Sequence, residues 1–509
     1  MAETKSPLVA QQTRSGSATF GNYIGGQWRP ARSGKTFTSE NPATGETLAF
    51  FPNSGADDVA GAAEAARQAL PAWRSYPAPR RGEILFHVAA LLRERKEELA
   101  RDLTLEMGKV IKEARGDVQE GIDMAFYMAG EGRRLSGQTV PAEMPNKFAM
   151  ATRIPKGVVA AITPWNFPIA IPCWKLMPAL ISGNTVVFKP SQYSPKSAYN
   201  LVRILEEAGL PAGVVNLVFG EGAATGQAVL NQPQISFVSF TGSNAVGTQV
   251  AVHCAQTGKG YHLEMGGKNA IIVLDDANLE LALEGVLWSA FGTSGQRCTA
   301  ASRVIVHRAV AKRFVEMLVA RAQTLRLGSG LDESVEVGPL VNRLQMERVL
   351  SYMPVGLQEG AHLACGGKVA RQGELAHGYF FQPTVFTDAS AGMSIAQEEI
   401  FGPVTTIIPV DSLEEAIAVN NGVRYGLSSS IYTQDINRAF RAIESLDTGI
   451  VYVNHGTTGA EIQLPFGGTK GTGNGPREAG QAALDTYTEW KSVYVDYSGR
   501  LQRAQIDRG

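Results

Sequence analysis

The string "TSGQRCTAASRV", Thr293 to Val304, sets one thiol among glycine, arginine and small residues. Gly292, Gly295 and Ala300 leave room beside Cys298 for an incoming group. A thiolate there can add to a carbonyl carbon and hold a covalent intermediate. Arg297 would favour that thiolate if its side chain faced the sulfur. From these residues alone an inert core cysteine is the alternative. The other cysteines, Cys173, Cys254 and Cys365, fall in a Pro- and Trp-rich helix start, a helix and a turn, and read as structural.

Carbonyl addition creates an oxyanion, and release of the product by water needs a base. "TPWNFPIAIPCWK" encloses the Asn166 amide between Pro164, Trp165, Phe167 and Pro168. A short amide in so rigid a frame can donate to a developing oxyanion; closing a turn is its alternative role. "HLEMGGKNA" puts Glu264 at a strand end between Leu263 and Met265. Apolar company favours the neutral carboxyl and suits a general base working near pH 7. Gly266 and Gly267 permit close approach. A buried acid satisfied by backbone N–H groups is the alternative.

Other strings suit a phosphorylated cofactor. "FGEGAATG" (Gly220, Gly222, Gly226) and "FTGSNAVG" (Gly242, Ser243, Gly247) each follow an apolar strand and precede a helix. Such turns aim backbone N–H groups at phosphate, yet neither has G-x-G-x-x-G spacing, and plain strand–helix turns fit them too. In "VVFKPSQYSP", Lys189 stands just past a strand's carboxyl end, where ligands of open α/β sheets bind. It can hold ribose or phosphate, or lie along the surface. "AQEEIFGPV" offers Glu398 and Glu399 for ribose hydroxyls and the Phe401 ring for a flat cofactor, or simply an acidic helix start and a turn.

These residues need rigid strands to hold them. "GVVAAIT", "NTVVFKP", "GVVNLVFG", "ISFVSFTGS" and "NAIIVL" are short, apolar and followed by turns or helical stretches, as in a parallel sheet buried on both faces. A second series, "RVIVH", "TTIIPV", "GLSSSIY" and "GIVYVN", repeats the pattern. The expected fold is α/β, with two doubly wound (Rossmann-like) domains and a small β module. The stretch "SGADDVAGAAEAARQALPAWR", Ser54–Arg74, and helices over Arg81–Glu106 and Ala114–Gly130 precede the first strongly buried strand. Expected boundaries are a flexible tail at 1–20, a cofactor-binding domain at 21–136 and 158–265, and a catalytic domain at 266–470. A β oligomerisation module takes 137–157, read as a hairpin around a Pro-Asn turn, and 483–497.

Composition narrows the function. With 47 basic and 48 acidic residues and no long charged block, neither nucleic acid nor a membrane surface is an expected partner. The 4 cysteines are far apart, lack zinc-site spacing and fit a reducing cytoplasm. Residues 1–20 lack the apolar core of a signal peptide.

Together "PWNFP", "VVFKPS", "FTGS", "LEMGGKNA", "GQRCTA", "EEIFGPV" and "PFGG" resemble, in order and spacing, the NAD(P)-dependent aldehyde dehydrogenase superfamily, from about Tyr23 to Tyr497. The resemblance implies Cys298 as nucleophile, Asn166 with the Cys298 N–H as oxyanion donors, and Glu264 as base for the hydrolytic water. It implies Lys189 at the adenosine ribose, Glu399 at the nicotinamide ribose, Gly242 and Ser243 at the pyrophosphate, and Trp165 on the adenine side. A homodimer or homotetramer acting on a small aldehyde with NAD or NADP is implied as well. Many NAD-preferring members carry glutamate where this chain has neutral Gln192, which admits NADP. "PFGGTKGTGNGPREAG" departs from the commoner "GGxKxSGxGRE" pattern, leaving the loop around Asn474 and Pro476 without an assigned role. "IPCWKLMPAL", "EMGGKNA" and "KGTGNG" are similar to 2-oxoglutarate semialdehyde (2,5-dioxovalerate) dehydrogenases. Arg297 and Lys175 stand near in sequence as candidate anchors for such a substrate's carboxylate. A CoA-acylating relative, a thiol esterase and a non-catalytic protein on the same fold are the alternatives. Retention of Glu264 favours water over CoA, and a non-catalytic chain has no need of Cys298, Asn166 and Glu264 together.

Overall fold

The computed structural model describes residues 11–12, 18–503 and 505–507. The apolar runs become parallel strands because every residue of Val158–Ile162 and Thr185–Lys189 is buried, as a sheet covered on both faces requires. Across the first sheet the order is Gly260–Glu264, Ile235–Thr241, Val158–Ile162, Thr185–Lys189, Val215–Leu217, then the hairpin Asn22–Ile24 and Gln27–Arg29. One face packs against Leu85, Met177 and Leu201, and the other against Val59, Val229 and Val250. The chain runs outward from Val158–Ile162 in one direction, then returns to its other side with Ile235–Thr241. That reversal opens a crevice at the strands' carboxyl ends. Asn166 and Ser243 both lie just beyond those ends.

The second sheet has the order His362–Cys365, Thr384–Thr387, Val404–Val410, Ala301–His307, Asn269–Val273, Ser428–Tyr432, Ile450–Val453, parallel except at His362–Cys365. It presents its amino ends to the crevice, since Cys298 just precedes Ala301–His307. Both domains are thus α/β and Rossmann-like.

Several details depart from expectation. The helix expected over Arg81–Glu106 is two, Ala78–Glu94 and Lys96–Met107. Arg95 breaks it with φ −99° and ψ 15° while its guanidinium is tied to Glu207. The next helix spans Ile111–Glu131. A buried strand, Asn22–Ile24, precedes all these helices, because Asn22 is fixed by Ser54 and Phe219. Of the expected tail, residues 1–10 and 13–17 lie outside the described residues. Ala18–Thr19 pairs with the Thr47–Pro52 strand, and Phe20 stacks on Phe51 with centroids 4.8 Å apart, so this end is built into the fold. Cys365 ends a strand, not a turn.

Gln138–Val140 and Lys147–Pro155 form the hairpin, and Thr488–Asp496 adds a third antiparallel strand. Residues 482–487 before it are helical. Segment 466–487 returns to the first sheet: Phe466 meets Trp174 edge-on, and Asn474 bonds both Leu263 and Tyr261. No helix among the described residues is long and apolar enough to cross a membrane.

Candidate active site

Thr241, Gly242 and Ser243 line the first wall of the crevice. Ser243 caps the Asn244–Thr257 helix, so that helix's N-terminus faces the cavity lined by Trp165, Gly242, Ser243, Glu399 and Phe401. Backbone N–H groups there suit a pyrophosphate. Glu399 Oε1 accepts the Gly267 N–H at 2.9 Å. A Cβ on Gly266 would fall 2.2 Å from Glu399 Oε2, so only glycine lets the carboxylate lie there. Burial raises the Glu399 carboxyl above its usual range. Lys189 ends its strand, buried, and desolvation lowers its ammonium to about 8. Having no ion-pair partner among the described residues, it suits ribose hydroxyls.

Gln192 uses Oε1 to accept the Gly222 N–H at 2.7 Å, which joins the loop after Lys189 to the first glycine-rich turn. A neutral amide at this place does not repel a 2′-phosphate. Trp165 meets Phe401 edge-on at 5.4 Å between centroids. Its ring lines the same cavity as Gly242, Ser243 and Glu399. The residues present fit a nicotinamide dinucleotide.

Cys298 is reached from both sides, lining this cavity and a second one with Phe167, Trp174, Trp288 and Tyr452. Its loop is strained: Thr293 and Ser294 have φ of 51° and 55°. Each such residue costs about 1–3 kcal/mol. Glu113 holds the strain in place by accepting the Thr293 N–H at 2.9 Å and its hydroxyl at 3.1 Å. Gly295, at φ 67°, lies so close to the Gly402 carbonyl that a Cβ would come within 2.0 Å. This contact joins the thiol loop to the Glu399–Phe401 turn.

Arg297 does not activate the thiol. Its Nη2 pairs with Glu113 at 2.9 Å and its Nε donates to the Thr293 hydroxyl at 2.9 Å. Burial, then the nearby Glu399 and Glu264 carboxyls, push the Cys298 thiol up to about 12, partly offset by the N–H groups of Thr299 and Cys298. A neighbouring positive charge would favour the thiolate. Asn166 is buried and donates Nδ2 to the Gln296 carbonyl at 3.1 Å. That bond fixes the amide next to the thiol loop.

Glu264 ends its strand buried, with neither carboxyl oxygen hydrogen-bonded among the described residues. Desolvation, then the charge of Glu478, raises its carboxyl well above the usual range. It lines the cavity that holds Cys298. The loop after Phe466 fixes it: Gly473 bridges to Glu264, Thr472 accepts the Met265 N–H at 2.7 Å, and Asn474 accepts the Leu263 N–H at 2.8 Å. The loop around Asn474 therefore clamps Glu264 and delivers Glu478.

Glu478, which no local pattern marks, pairs with buried Lys175. Lys175 also donates to Ser239 at 3.1 Å, so it is not free to anchor a substrate. Glu120 was equally silent: it lies on the helix face that lines the second cavity, where burial and then Asp117 raise its carboxyl to about 8. Its spacing from Glu113 and Asp117, at i+7 and i+3, was the signal available.

The aldehyde dehydrogenase family pattern matches residues 28–493. The chain belongs to the aldehyde dehydrogenase family. It is similar to an alpha-ketoglutaric semialdehyde dehydrogenase of Bacillus subtilis (strain 168), 44% identical over 94% of this chain and 98% of the relative. An alpha-ketoglutarate semialdehyde dehydrogenase of Haloferax volcanii is also 44% identical, over 94% of this chain and 99% of the relative. Among solved structures, betaine aldehyde dehydrogenase of Staphylococcus aureus in complex with NAD+ superposes with a TM-score of 0.93 at 33% identity, covering 94% of this chain and 95% of that one. The chain is an NAD(P)-dependent aldehyde dehydrogenase, as the sequence resemblance implies.

Proposed function

We propose that this enzyme oxidises a semialdehyde bearing a carboxylate, of the 2,5-dioxovalerate type, to the dicarboxylate. The observation that carries this reading is the Arg297 guanidinium. It lies over the Trp288 ring at 4.4 Å, held by Glu113 and Thr293, and lines the cavity of Cys298. Its Nη1 has no hydrogen-bond partner among the described residues, which leaves a fixed donor for a carboxylate. The acids of this cavity do not oppose such a substrate. Glu113 is paired with Arg297 and Asp117 with Lys109, while Glu120, at about 8, is neutral at pH 7 and able to donate a hydrogen bond. Names of the Bacillus and Haloferax relatives support the same class.

In this reading Sγ of Cys298 adds to the aldehyde carbon as its thiol proton is released to solvent. Asn166 Nδ2 and the Cys298 N–H hold the oxyanion, an effect of about 3–4 kcal/mol per donor. Lys189, Gly242, Ser243, Glu399 and Phe401 would hold the dinucleotide, whose oxidised nicotinamide would supply a positive charge and a hydride acceptor. Loss of hydride leaves a thioester on Cys298. Glu264 takes a proton from water, hydroxide adds to the thioester carbon, and the C–S bond breaks. A homodimer or homotetramer in the cytoplasm completes the reading. Exposed Phe148, Trp490, Tyr494 and Tyr497 on the three-stranded module support association.

An aldehyde panel tests the substrate class. With NAD+ and NADP+ in parallel, 2,5-dioxovalerate and succinate semialdehyde should exceed betaine aldehyde in kcat/KM by about tenfold or more, the value of one good charged contact. A preference for the cationic aldehyde would sink the proposal. Glu120 adds a pH signature. Because its raised value means neutral below and charged above about 8, the KM for a carboxylate substrate should rise as pH passes 8. The KM for propanal should stay level, and Glu120→Gln should remove the rise. Equal pH profiles for the two substrates would rule this role out.

A further inference from the structure

His262 sits between two buried carboxyl groups. It lies two residues before Glu264 on the same strand, so both side chains project from one face. Its Nε2 is 3.4 Å from Glu264 Oε1 and its Nδ1 is 3.6 Å from Glu478 Oε1. The ring is fully buried, and neither nitrogen has a hydrogen-bond partner of good geometry among the described residues. Two orphaned ring nitrogens each facing a carboxyl make an unusual arrangement, since buried polar atoms are normally satisfied. Small movements of the carboxyl groups would close both gaps, as happens when loose contacts of an empty site tighten.

The surroundings decide the ring's charge. Glu264 faces it from its own strand. Glu478, Arg477 and the Pro476 carbonyl face it from the C-terminal loop, and Lys175 from the helix Ala170–Ile181. Ser239 is its neighbour on the paired strand, carrying hydrogen bonds from Lys175 and Tyr487. Burial, then the charge of Lys175, pushes the imidazole well below its usual value. A neutral imidazole has one donor and one acceptor nitrogen. It can give a proton at one nitrogen as it takes one at the other.

We infer that His262 carries the proton between Glu264 and Glu478 and so converts Glu264 from an acid into the base that activates water. This rests on the reading of Glu264 as that base. In the resting state Glu264 is protonated toward Nε2, and Nδ1–H faces the Glu478 carboxylate, which Lys175 neutralises. Arming shifts the Glu264 proton to Nε2 and the Nδ1 proton to Glu478. Glu264, now a carboxylate, takes a proton from water as the C–O bond to the thioester carbon forms. When the C–S bond breaks, that proton passes from Glu264 to Sγ. The two protons of the wire then shift back. The wire ends as it began, while the whole cycle releases the one proton that the Cys298 thiol gives up on addition, and His262 lines neither cavity. It is a positioning residue for the base.

His262→Gln keeps polarity and similar volume but cannot exchange protons between its two ends, and His262→Phe removes both nitrogens. Rapid mixing should show a burst of reduced cofactor within about twofold of the parent. Steady turnover should fall by about tenfold or more, because proton transfer contributes on this scale. The acid limb of the kcat–pH profile should move to higher pH, since Glu264 must then lose its raised-affinity proton unaided. In the parent enzyme, a proton inventory of the hydrolytic step in mixed H2O and D2O should be curved, reporting more than one proton in motion. An unchanged acid limb in a folded variant, a burst lost in step with turnover, or a linear inventory would overturn the inference. Failure of the base itself is distinguishable: Glu264→Gln would then keep full steady turnover, whatever His262 does.

Discussion

Cys298→Ala is expected to lower kcat/KM for aldehyde oxidation by on the order of 10⁴-fold, with no burst of reduced cofactor. The loss is large because nothing else in the site can take over. In the proposed mechanism Asn166 and Glu264 act on an intermediate that forms only on this sulfur. Cys173 is fully buried, and desolvation followed by the charge of Asp117 raises its thiol strongly, so it offers no thiolate. The fold should not suffer. Cys298 is partly accessible at the junction of two cavities, and its Sγ makes no hydrogen bond to another side chain among the described residues. The stability change expected of such a truncation is below about 1 kcal/mol. The measurement is stopped-flow absorbance of reduced cofactor alongside a thermal melt. Activity within tenfold of the parent, with an unshifted melt, would remove Cys298 from the mechanism.

Local sequence carried the strands and the turn residues, because these depend on short apolar runs and on the residues directly after them. Lys189, Ser243, Glu264 and Cys298 each stand at or next to a strand end, and that place is readable from a run of β-branched residues. Side-chain direction was not readable. Arg297 is adjacent to Cys298 in the chain, yet it turns away to Glu113, which is 184 positions distant. Lys175 is withdrawn from the substrate by Glu478, and Trp165 is turned toward Phe401 by an aromatic contact. Glu478 and Asn474 illustrate the harder case. Their roles come from a C-terminal segment that crosses back to the edge strand of the first sheet, a long-range pairing without local periodicity. Domain boundaries blur for the same reason, since residues 466–487 serve the first domain's edge while coming after the second domain's last strand.

Glu264→Gln is the second substitution with a large effect, and its signature separates the two halves of the reaction. Glutamine has the shape of the neutral acid but cannot accept a proton from water. Addition of Sγ and loss of hydride do not require Glu264, so one equivalent of reduced cofactor per active site should still appear rapidly. Hydrolysis of the thioester should slow by about 10²–10⁴-fold, the contribution of a positioned base. The parent's turnover should rise with pH, because desolvation and Glu478 favour the protonated carboxyl and only the ionised form is a base. The variant's slow turnover should lose that dependence. Stability should move in the opposite sense. A carboxyl held above its usual value of 4.5 makes the folded state progressively less favourable as pH rises from there toward the folded value. The glutamine variant escapes this penalty, so its advantage over the parent should grow with pH across that window. A catalytic base kept buried without a hydrogen-bonding partner is a destabilising feature retained for its chemistry. If the variant melts no higher than the parent at pH 8, Glu264 is better solvated than its burial implies. If it turns over steadily without a burst, water is activated by another group.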